Sequence, residues 1–414
     1  MAARQRRRRS PGEGSVWPYR TKAGQQRFAI GYVCLMPDGS RKAVTRRTGP
    51  AGERWTTERD AKRALREILV AADKGELVDP SKQPVGAYLA EWLAGLRLAP
   101  STVASYRKNV RLHIEPYIGT VPLASLTTAR IDALYRQLER GGRADHKAGE
   151  GLSPRTVRYV HTILSAALGT AVKHHRLARN PAATASPPSA RQARAPEMHA
   201  WTAEQLAVFT GWSAGSSQHH AGWRLLAYTG MRRGEALALR WRDVDLDGGA
   251  VSVRRSAGVI RVKGEGAAIE EGGTKSGKPR VIDLDAATVA VLRAHRKVRG
   301  GMALQLARDD ALVLGDHEGR HLHPERFTRS FQSDVARCRK AAGEDKLPVI
   351  RLHDLRHTHA TLLLLAGVPV HVVSERLGHA SPVITMQVYA HVLPGSQREA
   401  ADLFASLIER GKAQ

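Results

Sequence analysis

Between Ile350 and Val392 the chain has little structural freedom. The text IRLHDLRHTHATLLLLAGVPVHVVSERLGHASPVITMQVYAHV divides into three short helices. Leu362 to Leu365 and Val368 read as a buried helix that Gly367 is placed to end. Val370–Leu377 reads as a second, stopped by Gly378. Ser381-Pro382 opens a third, since Ser is a good N-cap and Pro fits the first turn. Into this frame fall His353 and Arg356, three apart and therefore neighbours on one helical face, then His379 and Tyr389. A lone tyrosine would read as a core residue. Here that reading must also explain two histidines and an arginine.

Charge narrows the partner. Lys plus Arg is 65 against 39 Asp plus Glu, a net charge of +26, which demands a polyanion: nucleic acid or an anionic membrane surface. No apolar run approaches a bilayer span, and the Arg-rich start (Arg4, Arg6–Arg9) is followed by no apolar segment, so neither a membrane span nor a secretory signal is expected. Cys34 and Cys338, far apart, suit a reduced cytoplasmic protein without a disulfide framework.

Along the chain the text changes character several times. Residues 1–14 (MAARQRRRRSPGEG) read as a disordered basic arm. In 15–80, the β-rich runs Val16–Arg20, Arg27–Leu35 and Arg41–Thr48 are followed by a helix that Thr57 caps and that reaches about Lys74. Arg20, Lys22, Arg41 and Arg46 lie on or near that sheet, a surface able to enter a DNA groove. Residues 84–180 hold four amphipathic helices, with Arg107, Lys108, Arg155 and Arg158 on the faces opposite the apolar stripe. Residues 181–200, within the Pro-, Ala-, Ser- and Arg-rich stretch Asn180–His199, have the composition of an extended linker. A last domain spans 201–396, and 397–414 is a tail with an apolar-faced helix (Ala400, Leu403, Phe404, Leu407, Ile408).

In that last domain Thr202 starts a capped helix and Ala221–Tyr228 is another. The latter runs into Thr229-Gly230-Met231-Arg232-Arg233-Gly234-Glu235, followed by ALALRW as a helix. Ala250–Val262 and Arg280–Leu284 read as strands flanking a polar loop that holds Thr274-Lys275-Ser276-Gly277-Lys278. His317-Glu318-Gly319-Arg320-His321 fits the H-E-x-x-H string of zinc proteases. That chemistry needs both histidines on one helical face, and the turn-like LGDHEGRHLHP context argues against it.

HDLRHTHAT followed by LGHASPVITMQVYAHV resembles the C-terminal signature of the tyrosine recombinases, the phage-integrase family, in residue type, order and spacing together. The resemblance covers mainly Trp201–Pro394 and implies a multi-domain α+β protein: a small three-stranded-sheet-plus-helix arm-binding domain at 15–80, an all-α core-binding (SAM-like) domain at 84–180 that is half of a clamp around the duplex, and a mostly α catalytic domain with a small antiparallel sheet at 201–396. In this family T-G-x-R-x-x-E supplies the first catalytic arginine. That is Arg232 here, with Arg233 off the motif spacing and Glu235 as a supporting residue. A hairpin lysine reaches the scissile phosphate; Lys275 fits T-K-S-G-K-x-R best, with Lys278 and Lys263 as alternatives. His353, Arg356, His379 and the nucleophile Tyr389 complete the implied set.

The implied chemistry is site-specific recombination through a covalent 3′-phosphotyrosine and a Holliday junction, with neither ATP nor metal nor any other cofactor. Arg232 and Arg356 would hold the non-bridging oxygens of the phosphodiester by charge-assisted hydrogen bonds. Surrounding cations would favour the phenolate of Tyr389, His353 would take its proton, Lys275 would protonate the departing 5′-oxygen, and His379 would help hold the phosphate. The implied partners are double-stranded DNA attachment sites and three further copies in a homotetramer. An excisionase and a host DNA-bending protein are admitted as accessories, and the tail is suited either to docking on a neighbouring copy or to packing back on its own domain. Two rivals follow different logic. A chromosome-dimer resolvase would typically lack the 15–80 module, and a DNA-binding scaffold would not need a tyrosine among phosphate ligands.

Overall fold

The structure, a computed structural model, describes residues 14–35, 41–49, 53–73, 83–143, 150–194, 198–262, 266–274, 277, 279–390, 401–402, 404–406 and 408–409. The basic arm and most of the tail lie outside them; of the tail's apolar residues, Phe404 and Ile408 are exposed. The chain forms two compact units, Met1–Ala195 and Pro196–Gln414. None of the described helices is long and apolar enough to cross a membrane.

The first unit opens with β1 (Ser15–Arg20), β2 (Gln26–Leu35) and β3 (Arg41–Arg46), an antiparallel meander in that order. Ser15 pairs with Gly31, and Ile30 with Arg46. The hydroxyl of Thr57 accepts from the backbone N–H of Asp60 and so starts α1 (Glu58–Asp73). Ile30, Tyr32, Trp55, Ala61 and Leu65 close a small core between sheet and helix. Arg20 and Lys22 are exposed and Arg46 half-buried, while the side chain of Arg41 lies outside the described residues.

A helical bundle follows: α2 (Val85–Ala94), α3 (Pro100–Asn109), a wider turn at Val110–Ile114, α4 (Glu115–Ile118), α5 (Thr128–Gly141) and α6 (Pro154–Lys173). Thr127 caps α5 and Ser153 caps α6 ahead of Pro154, as Ser and Thr before an apolar-periodic run should. Leu89, Ile114, Tyr135, Leu138, Ile163 and Leu164 are buried at its centre. Arg107, Lys108 and Arg155 are exposed, and Arg158 donates to the carbonyl of Pro188 at 2.9 Å.

The segment from 181, expected as an extended linker, packs back on the bundle as far as Pro188. Ala182 is fully buried, the Thr128 hydroxyl donates to Pro181 O at 3.0 Å, and Ser186 N–H donates to Asp132 at 2.7 Å. Short Ala and Pro side chains lose almost no rotamer entropy on burial, so a linker-like composition is also suitable packing material.

The second unit begins with α7 (Ala203–Ser216), where Thr202 and Gln205 form a reciprocal capping box, then α8 (His220–Thr229) and α9 (Arg233–Leu237). The expected helix ALALRW is not one: α9 ends at Leu237 and the chain runs extended through Arg240, which bridges Leu312. Then come β4 (Val244–Asp245), β5 (Ala250–Val253), β6 (Arg255–Val262), β7 (Gly266–Gly273) and β8 (Arg280–Asp283). One sheet has the order β4-β5-β8, and β6 and β7 form a separate hairpin. Strand β7, GAAIEEGG, falls in what reads as a polar loop. Its Gly and Glu have poor strand propensity, and pairing with β6 from Val262↔Gly266 to Arg255↔Gly273 overrides it.

Helices α10 (Ala286–Met302), α11 (Pro324–Ala342), α12 (Asp354–Leu365), α13 (Val370–Leu377) and α14 (Pro382–Tyr389) complete the unit. Trp201, Phe209, Trp223, Trp241, Phe327 and Phe331 lie in the main core, and Ala360, Leu364, Val373, Leu377 and Tyr389 form a smaller one under the last three helices. The H-E-x-x-H string crosses a turn rather than a helix. Gly319 has φ +80°, and the Asp316 carboxylate accepts from the backbone N–H groups of Glu318 and Arg320.

Candidate active site

Two left-handed glycines shape the site. Gly230 (φ +64°) ends α8, and a Cβ there would come within 2.7 Å of Leu377 and 2.8 Å of His359. Gly378 (φ +68°) ends α13, and a Cβ there would meet the Arg280 guanidinium at 2.8 Å. Both turns need glycine for conformation and for space. Their carbonyls face arginines. Arg356, 3 % exposed, donates from Nη1 to Gly230 O and Leu377 O, both at 2.7 Å, and Arg232 Nη2 donates to Gly378 O at 3.2 Å.

Glu235 orders this cationic side. It is 2 % exposed, and its carboxylate accepts from Arg232 N–H (2.9 Å), Arg232 Nη1 (2.8 Å), Arg280 Nη1 (3.2 Å) and Arg280 Nη2 (2.7 Å). Burial alone would raise its pKa; the bonds and charges of Arg280 and Arg232 outweigh that and hold it below the ordinary carboxylate value. Arg280 in turn donates from Nε to Arg376 O at 3.0 Å. The sequence motif contained Arg280 without giving it a role. Only the fold places it across the Glu235 carboxylate from Arg232.

Arg356 Nη2 is buried and meets no hydrogen-bond acceptor among the described residues. Burial, with the charge of Arg232 next, lowers the Arg356 pKa to about 9, so it stays charged at neutral pH. A cation so placed is stabilised by an anion.

The tyrosine side is built differently. Ser381 accepts from Val383 N–H and starts α14, at whose end Tyr389 is 1 % exposed, with its hydroxyl 2.7 Å from His357 Nδ1. Four residues earlier, buried Thr385 shares a 2.8 Å hydrogen bond with His379 Nδ1. His353 lies exposed at the start of α12, with its ring edge-on to His357 at a centroid distance of 5.1 Å. Sequence reasoning assigned no role to His357 or Thr385. The available signal was their spacing of four from His353 and from Tyr389, one helical turn in each case.

The expectation that cations favour the Tyr389 phenolate does not hold in this conformation. Burial raises its pKa to about 12, Arg356 lowering it only in part and Asp354 adding to the rise. Desolvation also lowers His357 and His379 to about 4, reinforced by His353 and by Arg356 respectively. His353 is lowered as well, by desolvation and then Arg356. The expected proton partner was His353; the side chain in contact with the hydroxyl is His357. Lys275, and its alternatives Lys263 and Lys278, lie outside the described residues. Thr274 and Gly277, around Lys275, line a cavity of about 1120 Å³ together with Arg254, Arg280, Gly378 and His379.

Guanidiniums held by Glu235 and by backbone carbonyls, histidines of lowered basicity and a hydrogen-bonded tyrosine, with Arg280 and His379 on the cavity wall, make a site for transfer of a phosphoryl group to an oxygen nucleophile. The Phage integrase family model matches residues 202–395, and the model of the phage integrase N-terminal SAM-like domain matches residues 85–138. An integrase of Mycobacterium phage D29 is 28 % identical over 339 residues, 81 % of this chain and 78 % of that protein. An integrase of Streptomyces ambofaciens is 26 % identical over 424 residues, 99 % and 100 % of the two chains. Among solved structures, the Tn1549 transposon integrase in complex with a circular intermediate DNA superposes with a TM-score of 0.64 at 20 % identity, over 77 % of this chain and 99 % of that one. A lambda integrase dimer bound to a core site gives 0.51 at 17 %, over 93 % and 96 %. This chain belongs to the phage integrase family of tyrosine recombinases. Its activity is site-specific recombination of DNA by a tyrosine-type enzyme.

Proposed function

We propose that this chain is the integrase of a phage or integrative element, that Tyr389 is its nucleophile, and that Arg232, Arg356, His353, His379 and Lys275 complete the catalytic set with Glu235 in support. The observation that carries the reading is the buried, unpartnered Nη2 of Arg356 beside Arg232: a phosphodiester oxygen supplies the missing acceptor and offsets the lowered basicity of the guanidinium. Tyr389 attacks phosphorus, the bond to the 5′-oxygen breaks, and a 3′-phosphotyrosine keeps the bond energy for religation to another strand without ATP. His379 binds the phosphate, steadied by Thr385, and Lys275 supplies the proton for the leaving oxygen. No step requires a metal ion, because guanidiniums take the electrostatic role.

The lambda integrase has been solved as a tetramer on a Holliday junction. By analogy this chain works as a homotetramer on two double-stranded attachment sites, in the cytoplasm, with an excisionase and a host DNA-bending protein setting direction. In this reading the domains are an arm at 1–14, an arm-binding domain at 15–80, a core-binding domain at 84–180 on which 181–188 packs, a linker over the remainder of 181–200, a catalytic domain at 201–396 and a tail at 397–414. Arg20, Lys22, Arg41, Arg46, Arg107, Lys108, Arg155 and Arg158 contact DNA phosphates.

The test is covalent capture with duplexes tiling the DNA that flanks the native gene, in EDTA, trapped with SDS. Wild type yields a protein–DNA adduct and Tyr389→Phe yields none while still shifting the same duplex in a gel. An adduct that persists in Tyr389→Phe removes Tyr389 from the role. Tight specific binding by both proteins with no adduct from either favours the scaffold reading.

A further inference from the structure

We propose that His357 is a catalytic residue: it takes the phenolic proton of Tyr389 as that tyrosine attacks, and His353 is the outer member of a histidine pair joining the buried hydroxyl to the surface of the site. The inference deepens the reading above and rests on Tyr389 being the nucleophile.

Geometry carries it. A proton acceptor must lie within hydrogen-bond reach of the proton it removes, about 2.6–3.2 Å between heavy atoms. His357 Nδ1 is 2.7 Å from Tyr389 Oη, and the two rings lie 5.7 Å apart. His353, one turn earlier on the same face of α12, holds its ring at 87° to that of His357 and is open to solvent. Arg356 lies between them in sequence but turns to Gly230 O and Leu377 O. The acid–base pair and the anion-binding group therefore share one helical turn without competing for the same atoms.

A histidine that merely satisfies a buried tyrosine would look similar, so protonation state matters. Desolvation keeps His357 neutral at pH 7, which leaves a ring nitrogen free to accept. Tyr389 carries its proton there and cannot react without losing it. An incoming phosphodiester brings negative charge beside Arg356 and so raises the basicity of His357 at the step where it is needed.

The step balances. Oη–P forms, P–O5′ breaks, the Oη proton passes to His357 Nδ1, and the 5′-oxygen takes a proton from Lys275. On religation the 5′-hydroxyl gives its proton back to Lys275 and attacks phosphorus, P–Oη breaks, and His357 returns its proton to the departing Tyr389.

The experiment uses the full chain and a nicked duplex on which wild type forms the captured adduct. The duplex is made with an ordinary scissile phosphate and with a 5′-bridging phosphorothiolate, whose sulfur leaves without a proton. His357→Ala and His357→Gln are each expected to slow single-turnover adduct formation by ~10²-fold or more on both substrates. Added imidazole or raised pH should restore part of the rate in His357→Ala, whereas Lys275→Ala should recover on the sulfur substrate alone. Wild-type rates in His357→Gln, which keeps a hydrogen-bonding side chain but cannot take a proton, would make His357 a positioning residue. Recovery of the histidine variants by sulfur would place their effect on the leaving group instead. Either result overturns the proposal. Should His357→Ala melt early, His357→Gln decides alone. An adduct from Tyr389→Phe is a separate failure, that of the nucleophile assignment.

Discussion

The two sides of the active site are held by different forces. On the cationic side, Arg232, Arg280 and Glu235 form a buried ion-pair cluster, and Arg356 is fixed by two backbone carbonyls at glycine-ended helices. On the tyrosine side, Tyr389 with His357 and His379 with Thr385 form two hydrogen-bonded pairs beside a small core of Ala360, Leu364, Val373 and Leu377. Charge fixes the first side before substrate arrives. The second is a short C-terminal helix on an apolar seat, and its tyrosine is protonated and 1 % exposed. Under the proposed roles, phosphate binding is thus preorganised, while Tyr389 must still lose a proton and meet the phosphorus. Preorganised donors aimed at developing charge are the more expensive to lose.

The largest effect should come from the cationic side. Arg356→Lys keeps a charge but loses the fork that reaches two carbonyls and a phosphate oxygen together. It is expected to lower adduct formation by ~10²–10³-fold or more, with duplex binding in a gel shift little changed. Equal loss of binding and cleavage would show that the arginine is a DNA anchor or a structural tie, and would break the contrast.

Next is Arg280→Ala, which leaves Glu235 buried against one arginine instead of two. Adduct formation should fall ~10-fold or more, since a small misplacement at a reacting centre is amplified in rate. The melting temperature should fall with it, because truncating one partner of a buried pair costs about 3–5 kcal/mol. An unchanged melting curve would mean that Arg232 alone satisfies the carboxylate.

The smallest effect is in pH. His357 and His379 titrate at about 4 in the fold against about 6.5 unfolded, so unfolding takes up protons and stability is lost as pH falls from about 6.5 towards 4. Glu235, held below its ordinary value of 4.5, contributes stability that is present above that value and lost only as pH falls further, through its folded pKa. Thermal melts across pH 7 to 3 should therefore show two successive losses, and His357→Gln should shrink the first. A single transition below pH 4.5 would put the histidines outside the stability of the fold.

Much of this was legible in the text. Thr57, Thr202 and Ser381 all cap the helices expected after them, and Gly230, Gly367 and Gly378 all adopt left-handed φ at helix ends. The misreadings share a cause. The GAAIEEGG strand exists through its pairing with β6, and the packing at 181–188 through contacts with α5 and α6. Neither kind of contact leaves a local signature.

The sequence by itself determined the capped starts and glycine ends of several helices, the basic character and the residues of the T-G-M-R-R-G-E, H-D-L-R and L-G-H motifs, because caps, glycine turns and periodicity act within a few residues. Only the tertiary structure decided that Arg280 faces Glu235 from 45 positions away and that His357 holds the hydroxyl of Tyr389 from 32 away. It also decided that burial outweighs nearby cations in setting the phenol's pKa. Desolvation depends on everything packed around a group, and that quantity exists only once distant segments have met.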